Sequence, residues 1–180
     1  MKINITEQIP DDLNFHKLIE DFVFNCPSAT VTSKKKAKTK QWDNVSVREC
    51  SFRNRGITGT LLNTITAQIK RMMKNELYKK VDKIELVEDV FDASNSNERI
   101  VFRDNSQMSD AEVIYYYIRN AFAHGSFEVT SDRVYKLESK KKESVKAQMM
   151  LKETTLLKIA DLSRKNRKQI EALQKKKNRN

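Results

Sequence analysis

The strongest constraint on the fold lies between residues 109 and 151, where the spacing of apolar residues changes at Gly125. The stretch "SDAE" at 109–112 predicts the start of a helix, because Ser109 and Glu112 can form a capping box. Gly125 supplies the stop that helices commonly use. Beyond it, alternate positions are apolar in "FEV", "VYKL" and "SVKAQMML", and Val145, Ala147, Met149 and Leu151 form the longest alternation. We therefore expect a long helix followed by three short strands.

The remaining apolar residues are mostly at helical spacing. This holds for "LNFHKLIEDFV" at 13–23, for "TLLNTITAQIKRMMKNEL" at 60–77 and for the segment that begins near Lys152. The pattern predicts a mainly α fold, a helical bundle with a small antiparallel β insert after the helix that ends at Gly125. Residues 1–165 are expected to form a single domain with a basic loop at 33–41, and residues 166–180 a basic helix end or tail.

The formal net charge of +11 is the main global signal. A lysine-rich surface attracts phosphate backbones, so RNA, DNA or an acidic protein are the candidate partners. Two runs carry much of this charge, and their candidate RNA-binding residues are Lys34, Lys35, Lys36, Lys175, Lys176 and Lys177. The alternatives are a solvated loop for the first run, a frayed tail for the second, and a general compositional bias toward lysine for both.

Several functional classes are excluded or unsupported. Cys26 and Cys50 are too few for a disulfide framework, or for a zinc site without more histidines, so we expect reduced thiols and no metal. No phosphate-cradling glycine loop or HExxH motif occurs. The first residues lack a secretory pattern and no apolar run approaches the roughly 18 residues of a membrane span, so a cytoplasmic protein is expected.

The helix that ends at Gly125 divides into two arcs. Five residues form an apolar stripe: Ile114, Tyr115, Ile118, Ala121 and Phe122. The opposite arc carries Tyr116, Arg119, Asn120, Ala123 and His124. A histidine near a helix C-terminus before glycine is also an ordinary helix end, and spacing alone would favour that simpler explanation.

The full string "IRNAFAHGSF" resembles the signature of HEPN domains, an Arg-x4-6-His motif at the end of a long helix. The capped helix before it, the strands after it and "MLKETTLLKIADL" extend the similarity to the toxin and abortive-infection branch, over residues 100–165. The resemblance implies a HEPN-like bundle that acts as a homodimer with a composite active site. It also implies RNA cleavage by attack of the 2′-OH, without metal or cofactor, with Arg119, Asn120 and His124 as the catalytic residues.

The residue types suit that chemistry, since imidazole can transfer protons near neutral pH and guanidinium can neutralise phosphate charge. One motif histidine per chain cannot easily serve as both acid and base, so a dimer is expected. Tyr116 is a candidate for base stacking or for the dimer interface. Ser126 departs from some HEPN toxins, in which a tyrosine at this position is modified by an antitoxin.

The sequence therefore predicts a metal-independent endoribonuclease, a toxin or phage-defence effector with an antitoxin or another defence-system protein as its partner. Two alternatives remain open. The first is a HEPN-like module that binds RNA or nucleotides without cleaving them. The second is a basic interaction protein in which the motif only ends a helix.

Overall fold

Five α-helices and one five-stranded sheet make up the described part of the computed structural model, which covers residues 12–28, 50–73, 77–82, 84, 98–105 and 107–177. The helices are α1 (Leu13–Ile19), α2 (Thr60–Met72), α3 (Asp110–Ala123), α4 (Glu153–Arg164) and α5 (Arg167–Lys177). The strands are β1 (Leu77–Val81), β2 (Arg99–Arg103), β3 (Phe127–Val129), β4 (Val134–Lys141) and β5 (Ser144–Lys152). A π-helical segment, Glu20–Phe24, continues α1. No described helix is long and apolar enough to cross a bilayer.

The prediction of a mainly helical bundle with a small β insert is wrong, because the sheet is a full layer of an α/β fold. Its strand order is β1-β2-β5-β4-β3. The three strands expected after the long helix are present and pair antiparallel, and β2 joins them antiparallel to β5. A parallel β1 completes the sheet beside β2. The three strands are therefore one side of a larger sheet.

The two missed strands lack the alternation that identifies a half-buried strand. In β2, the consecutive residues Ile100, Val101 and Phe102 are all buried, so both faces of the strand are covered and no period of two appears. Leu77 had been placed in a helical stripe, but α2 ends at Met72 and Leu77 begins β1. Short apolar runs of this kind do not distinguish strand from helix by periodicity alone.

Helix α3 lies at the centre of the main core. All five residues of its predicted apolar stripe are at most 5% exposed. The Tyr115 hydroxyl donates to the carbonyl oxygen of Ile159 in α4 at 2.6 Å. The Phe122 ring packs between Phe22 of the π-helical segment and Tyr135 of β4, with ring centroids 5.9 and 6.0 Å away. These contacts hold α3 against the sheet on one side and against helical segments on the other.

An ionic cluster at the turn between β3 and β4 ties together distant parts of the chain. The Arg133 guanidinium pairs with Asp12, the N-cap of α1, and with Glu153, the first residue of α4, which is 2.5 Å away. The hydroxyl of Tyr135 and the side-chain amide of Asn14 also donate to the Glu153 carboxylate, at 3.3 and 3.0 Å. This carboxylate is almost wholly buried, so its partners replace lost water.

Arg133→Ala should lower the free energy of unfolding by about 1–2 kcal/mol more than Lys142→Ala, as measured by urea denaturation at neutral pH. Both residues have a positive φ, 59° and 55°, so the backbone cost of alanine cancels in the comparison. The expected loss of stability is smaller than for breaking a fully buried ion pair, because the Arg133 side chain is 43% exposed.

The difference in unfolding free energy between Arg133→Ala and Lys142→Ala should shrink in acid. Burial acts to raise the pKa of Asp12, but the Phe15 amide and the Arg133 guanidinium outweigh it and lower that pKa below its usual value. A carboxyl with a lowered folded-state pKa stabilises the fold while ionised and stops doing so as pH falls through that pKa. Equal effects of the two substitutions at neutral pH would contradict this role for Arg133.

Candidate functional site

Along the second half of α3, the side chains that are not fully buried form a narrow strip on one side. Ala123 and His124 are exposed, and Tyr116, Arg119 and Asn120 are half-buried. We call these five residues the α3 stripe. They are the residues of the polar arc expected from helical geometry, and all of them except Ala123 can contact a substrate through a polar or aromatic group.

Arg119 and Asn120 contact each other within the α3 stripe. The Nη1 atom of Arg119 donates to Oδ1 of Asn120 at 3.4 Å. This contact places the side-chain carbonyl oxygen of Asn120 against the Arg119 guanidinium. The side-chain nitrogen of Asn120, Nδ2, has no partner in the part of the chain that the structure describes, so it remains available as a hydrogen-bond donor.

His124 is held at the helix end by its backbone. Its amide donates to the carbonyl oxygen of Asn120 at 3.1 Å. The backbone amide of Gly125, whose φ is 63°, donates to the carbonyl oxygen of Phe122 at 3.1 Å. The backbone amide of Ser126 donates to the carbonyl oxygen of Ala121 at 2.8 Å. Together these bonds form the hydrogen-bond pattern of a Schellman cap. Within the described residues, no hydrogen bond or ion pair involves the His124 imidazole, which is free to meet a ligand.

A buried thiol packs against α3, a feature that the sequence pattern did not indicate. Cys26 is 5% exposed, and its sulfur lies 3.1 Å from the Ser28 hydroxyl and 3.7 Å from the Tyr115 carbonyl oxygen. Burial raises the pKa of Cys26, and the hydrogen bonds with Ser28 and then the charge of Arg119 offset this only in part. The thiol is therefore neutral and forms part of the support beneath the stripe. Both cysteines are free.

The Tyr116 ring packs against the ring of Tyr117. Its centroid is 5.3 Å from that of Tyr117, with the ring planes inclined at 50°. Tyr117 is buried, and its hydroxyl donates to the carbonyl oxygen of Arg103 at 3.4 Å. This packing limits the orientations that Tyr116 can adopt while leaving part of its side chain exposed to solvent.

The predicted RNA-binding lysines that the structure describes do not lie on the stripe. Lys34, Lys35, Lys36 and the rest of the loop 33–41 fall outside the described residues. Lys175 and Lys176 are exposed near the end of α5, and the side chain of Lys177 is not described. Helix α5 packs on α2, with Ile170 fully buried, so the segment expected to be a helix end or tail is anchored there.

A cavity of about 440 Å³ lies at the opposite end of α3, beside α2. Lys70 and Lys80 line it together with Asp110. Lys80 is paired with Asp104 at 2.8 Å and with Asp110 at 3.2 Å, so its charge is already balanced. The Lys70 ammonium lies over the Tyr78 ring, 4.0 Å from its centroid. The cavity has no residue in common with the α3 stripe.

Known proteins provide no further guide to the site. No family model, curated protein or solved structure matches this chain significantly. Within the described residues, no group of three His, Cys, Asp or Glu side chains is placed to hold a metal ion. The chemistry of the α3 stripe is therefore the feature that bears most directly on function.

Proposed function

We propose that this protein is a metal-independent endoribonuclease whose active site is built on the α3 stripe. One observation carries the proposal. The second half of α3, which is otherwise buried, leaves a guanidinium, a carboxamide and a phenol on its open side, with an imidazole at the residue that caps it. Between Tyr116 and His124 this side carries no lysine or glutamate, and Glu112, one turn earlier, is held in the capping box with Ser109. The four groups present are those that bind a phosphate, stack on a base and transfer protons.

The proposed reaction needs only groups of this kind. A base removes the proton from the 2′-OH of RNA as the 2′-oxygen attacks the adjacent phosphorus. The bond from phosphorus to the 5′-oxygen then breaks, and an acid protonates that oxygen. The products are a 2′,3′-cyclic phosphate and a 5′-hydroxyl. In this scheme Arg119 neutralises charge on the phosphorane-like state, Asn120 orients Arg119 and donates to a phosphate oxygen, and His124 transfers protons.

A homodimer completes the proposed site, because two His124 side chains are needed as base and acid. Two features of the surface suit association with a second copy. Ala123 is small and exposed, so another helix can approach the backbone closely there. Phe24 is 64% exposed in the π-helical segment that packs against α3, and exposed aromatic residues are enriched at protein interfaces.

The biological setting is proposed from the motif alone. The similarity of "IRNAFAHGSF" to the HEPN signature favours a cytoplasmic toxin or phage-defence effector, with an antitoxin or another defence-system protein as partner. The proposal depends on the motif and on the side chains of the stripe. It does not depend on a helical bundle, which this fold is not.

His124→Ala should slow cleavage of single-stranded RNA in the presence of EDTA by about 10²- to 10⁴-fold, because the variant lacks the proton-transfer group. His16→Ala is the matched control, since His16 is the other histidine of the chain and is exposed on α1. It should cleave at the wild-type rate. Both variants should keep the wild-type free energy of unfolding to within about 0.5 kcal/mol, because neither side chain is packed in the core.

The other outcomes separate the alternatives. Equal cleavage by wild type and His124→Ala would show that the site lies elsewhere. Wild-type protein that binds RNA without cleaving it would support a binding module. Protein that neither binds nor cleaves RNA would support a basic interaction protein in which His124 only ends a helix.

A mixed dimer of one wild-type chain and one His124→Ala chain should lose nearly all activity if each site needs both imidazoles. Independent protomers would instead leave about half the activity, because the wild-type chain would be unaffected by its partner. Differently tagged chains can be co-expressed and the heterodimer isolated through both tags before the cleavage assay. A monomer with full activity would contradict the dimer itself.

A further inference from the structure

A surface with a high density of positive charge lies where α4 ends and α5 begins. Two short segments form it, "SFRNRG" at 51–56 and "RKNRK" at 164–168. Neither segment contains an acidic residue. Their six basic residues, which we call the junction cations, are Arg53, Arg55, Arg164, Lys165, Arg167 and Lys168.

Direct contacts place the two segments side by side. The Nη1 atom of Arg55 donates to the carbonyl oxygen of Lys165 at 3.1 Å. The backbone at Gly56 lies against Arg167, because a β-carbon at this glycine would be 3.6 Å from both Cδ and Nη1 of the Arg167 side chain. The junction cations are therefore neighbours in the fold, although about 110 residues of the chain separate the two segments.

Carboxylates balance only two of the junction cations. Arg164 pairs with Asp21 at 2.6 Å, and Arg167 pairs with Glu171 at 2.7 Å. In each case the Nε atom makes the bond, and the arginine side chains are still 48% and 62% exposed, so Nη donors remain for another ligand. Within the described residues, no ion pair involves the other four junction cations. The surface thus has an excess of positive charge that the fold itself does not neutralise.

Arg55 is held in place more firmly than a solvated surface arginine. Its guanidinium lies over the Phe52 ring, 5.2 Å from the centroid, and Phe52 in turn packs on Tyr115 of α3. The Nε and Nη2 atoms of Arg55 are buried and have no hydrogen-bond partner in the part of the chain that the structure describes. Unpaired buried donors of a charged group are costly, so packing alone does not account for an arginine at this position.

The first turn of α5 also favours an anion. The amide end of a helix carries partial positive charge, yet this turn has no acidic residue and instead carries Arg167 and Lys168. The helix is capped by neutral side chains, since Oδ1 of Asn166 accepts from the Gln169 amide at 3.0 Å and Oε1 of Gln169 accepts from the Asn166 amide at 2.9 Å. Like charges are therefore close together here, and a bound anion would relieve their repulsion.

We propose that the junction cations bind the phosphate backbone of an RNA substrate, away from the phosphate that reacts. This inference rests on the proposed function for the identity of the strand as RNA. Guanidinium groups with free Nη donors can form paired hydrogen bonds to phosphate oxygens, and the lysines add charge. Every exposed residue of the two segments is arginine, lysine or asparagine, whereas a surface that binds an acidic protein would also be expected to present apolar or aromatic side chains.

The test compares two double variants that remove two charges each. Arg53→Ala/Lys168→Ala removes two exposed junction cations, and Lys79→Ala/Lys141→Ala removes two exposed lysines of β1 and β4. Both are made in a His124→Ala background so that RNA is not consumed. Fluorescence anisotropy with a short labelled single-stranded RNA, over a series of salt concentrations, gives the slope of log K against log salt. The junction variant should reduce the size of that slope by about 1.4, since each phosphate contact on a single strand contributes about 0.7.

The junction variant should fold as well as its control. Both of its altered side chains are exposed, and the loss of Lys168 removes a cation from the positive end of the α5 dipole. Urea denaturation of the two double variants checks that their free energies of unfolding agree. A change in the salt slope then reports on RNA contacts and not on unfolding.

The control variant should keep the His124→Ala slope. Equal slopes for the two double variants would overturn the inference, and so would tighter binding to polyglutamate than to RNA. In chains that retain His124, the junction variant should raise KM with little change in kcat, because these cations contact the strand away from the reacting phosphate. RNA cleavage by wild type together with equal slopes would reject the junction surface alone. A reduced slope without any cleavage by wild type would reject the proposed nuclease activity and support the surface.

Discussion

The burial of α3 is the constraint on which the candidate site depends. Its apolar side packs against the sheet, α2 and the π-helical segment, and Tyr115 hydrogen-bonds to α4. Because so much of this helix is enclosed, the backbone that carries the side chains of its open side is fixed in position by the packing of the others. The Schellman cap at Gly125 then sets where the helix ends and where His124 projects. Within the stripe, Arg119 is oriented by its contact with Asn120.

The sheet contributes to the candidate site through the face that packs against α3. The helix-facing side supplies Tyr135, Leu137 and Met149 to the core that holds α3. A bulge at Lys146 interrupts the alternation of β5 between Val145 and Ala147, so the side chains before it no longer follow the alternation of the residues that face α3.

Local signals in the sequence predicted α3, its capping box, its glycine stop and the three strands that follow it. These features could be predicted because a capping box, a glycine stop and an alternation of apolar residues each depend on only a few neighbouring residues. They did not predict β1 and β2, whose pairing joins distant parts of the chain and whose short apolar run has no period. They also placed Val145 in one alternation with Ala147, whereas the bulge moves Val145 to a separate cluster with Ile84 and Val101. The contact between Arg119 and Asn120 depends on side-chain conformation, which residue spacing does not specify.

The ends of the cleaved RNA test the proposed chemistry most directly. Purified protein is incubated with single-stranded RNA and EDTA, and the products are identified by mass spectrometry beside a matched RNA that carries 2′-deoxyribose throughout. Attack by the 2′-OH predicts fragments with a 2′,3′-cyclic phosphate and a 5′-hydroxyl, and no cleavage of the deoxy control. Fragments with a 5′-phosphate, or cleavage of the control, would contradict the account.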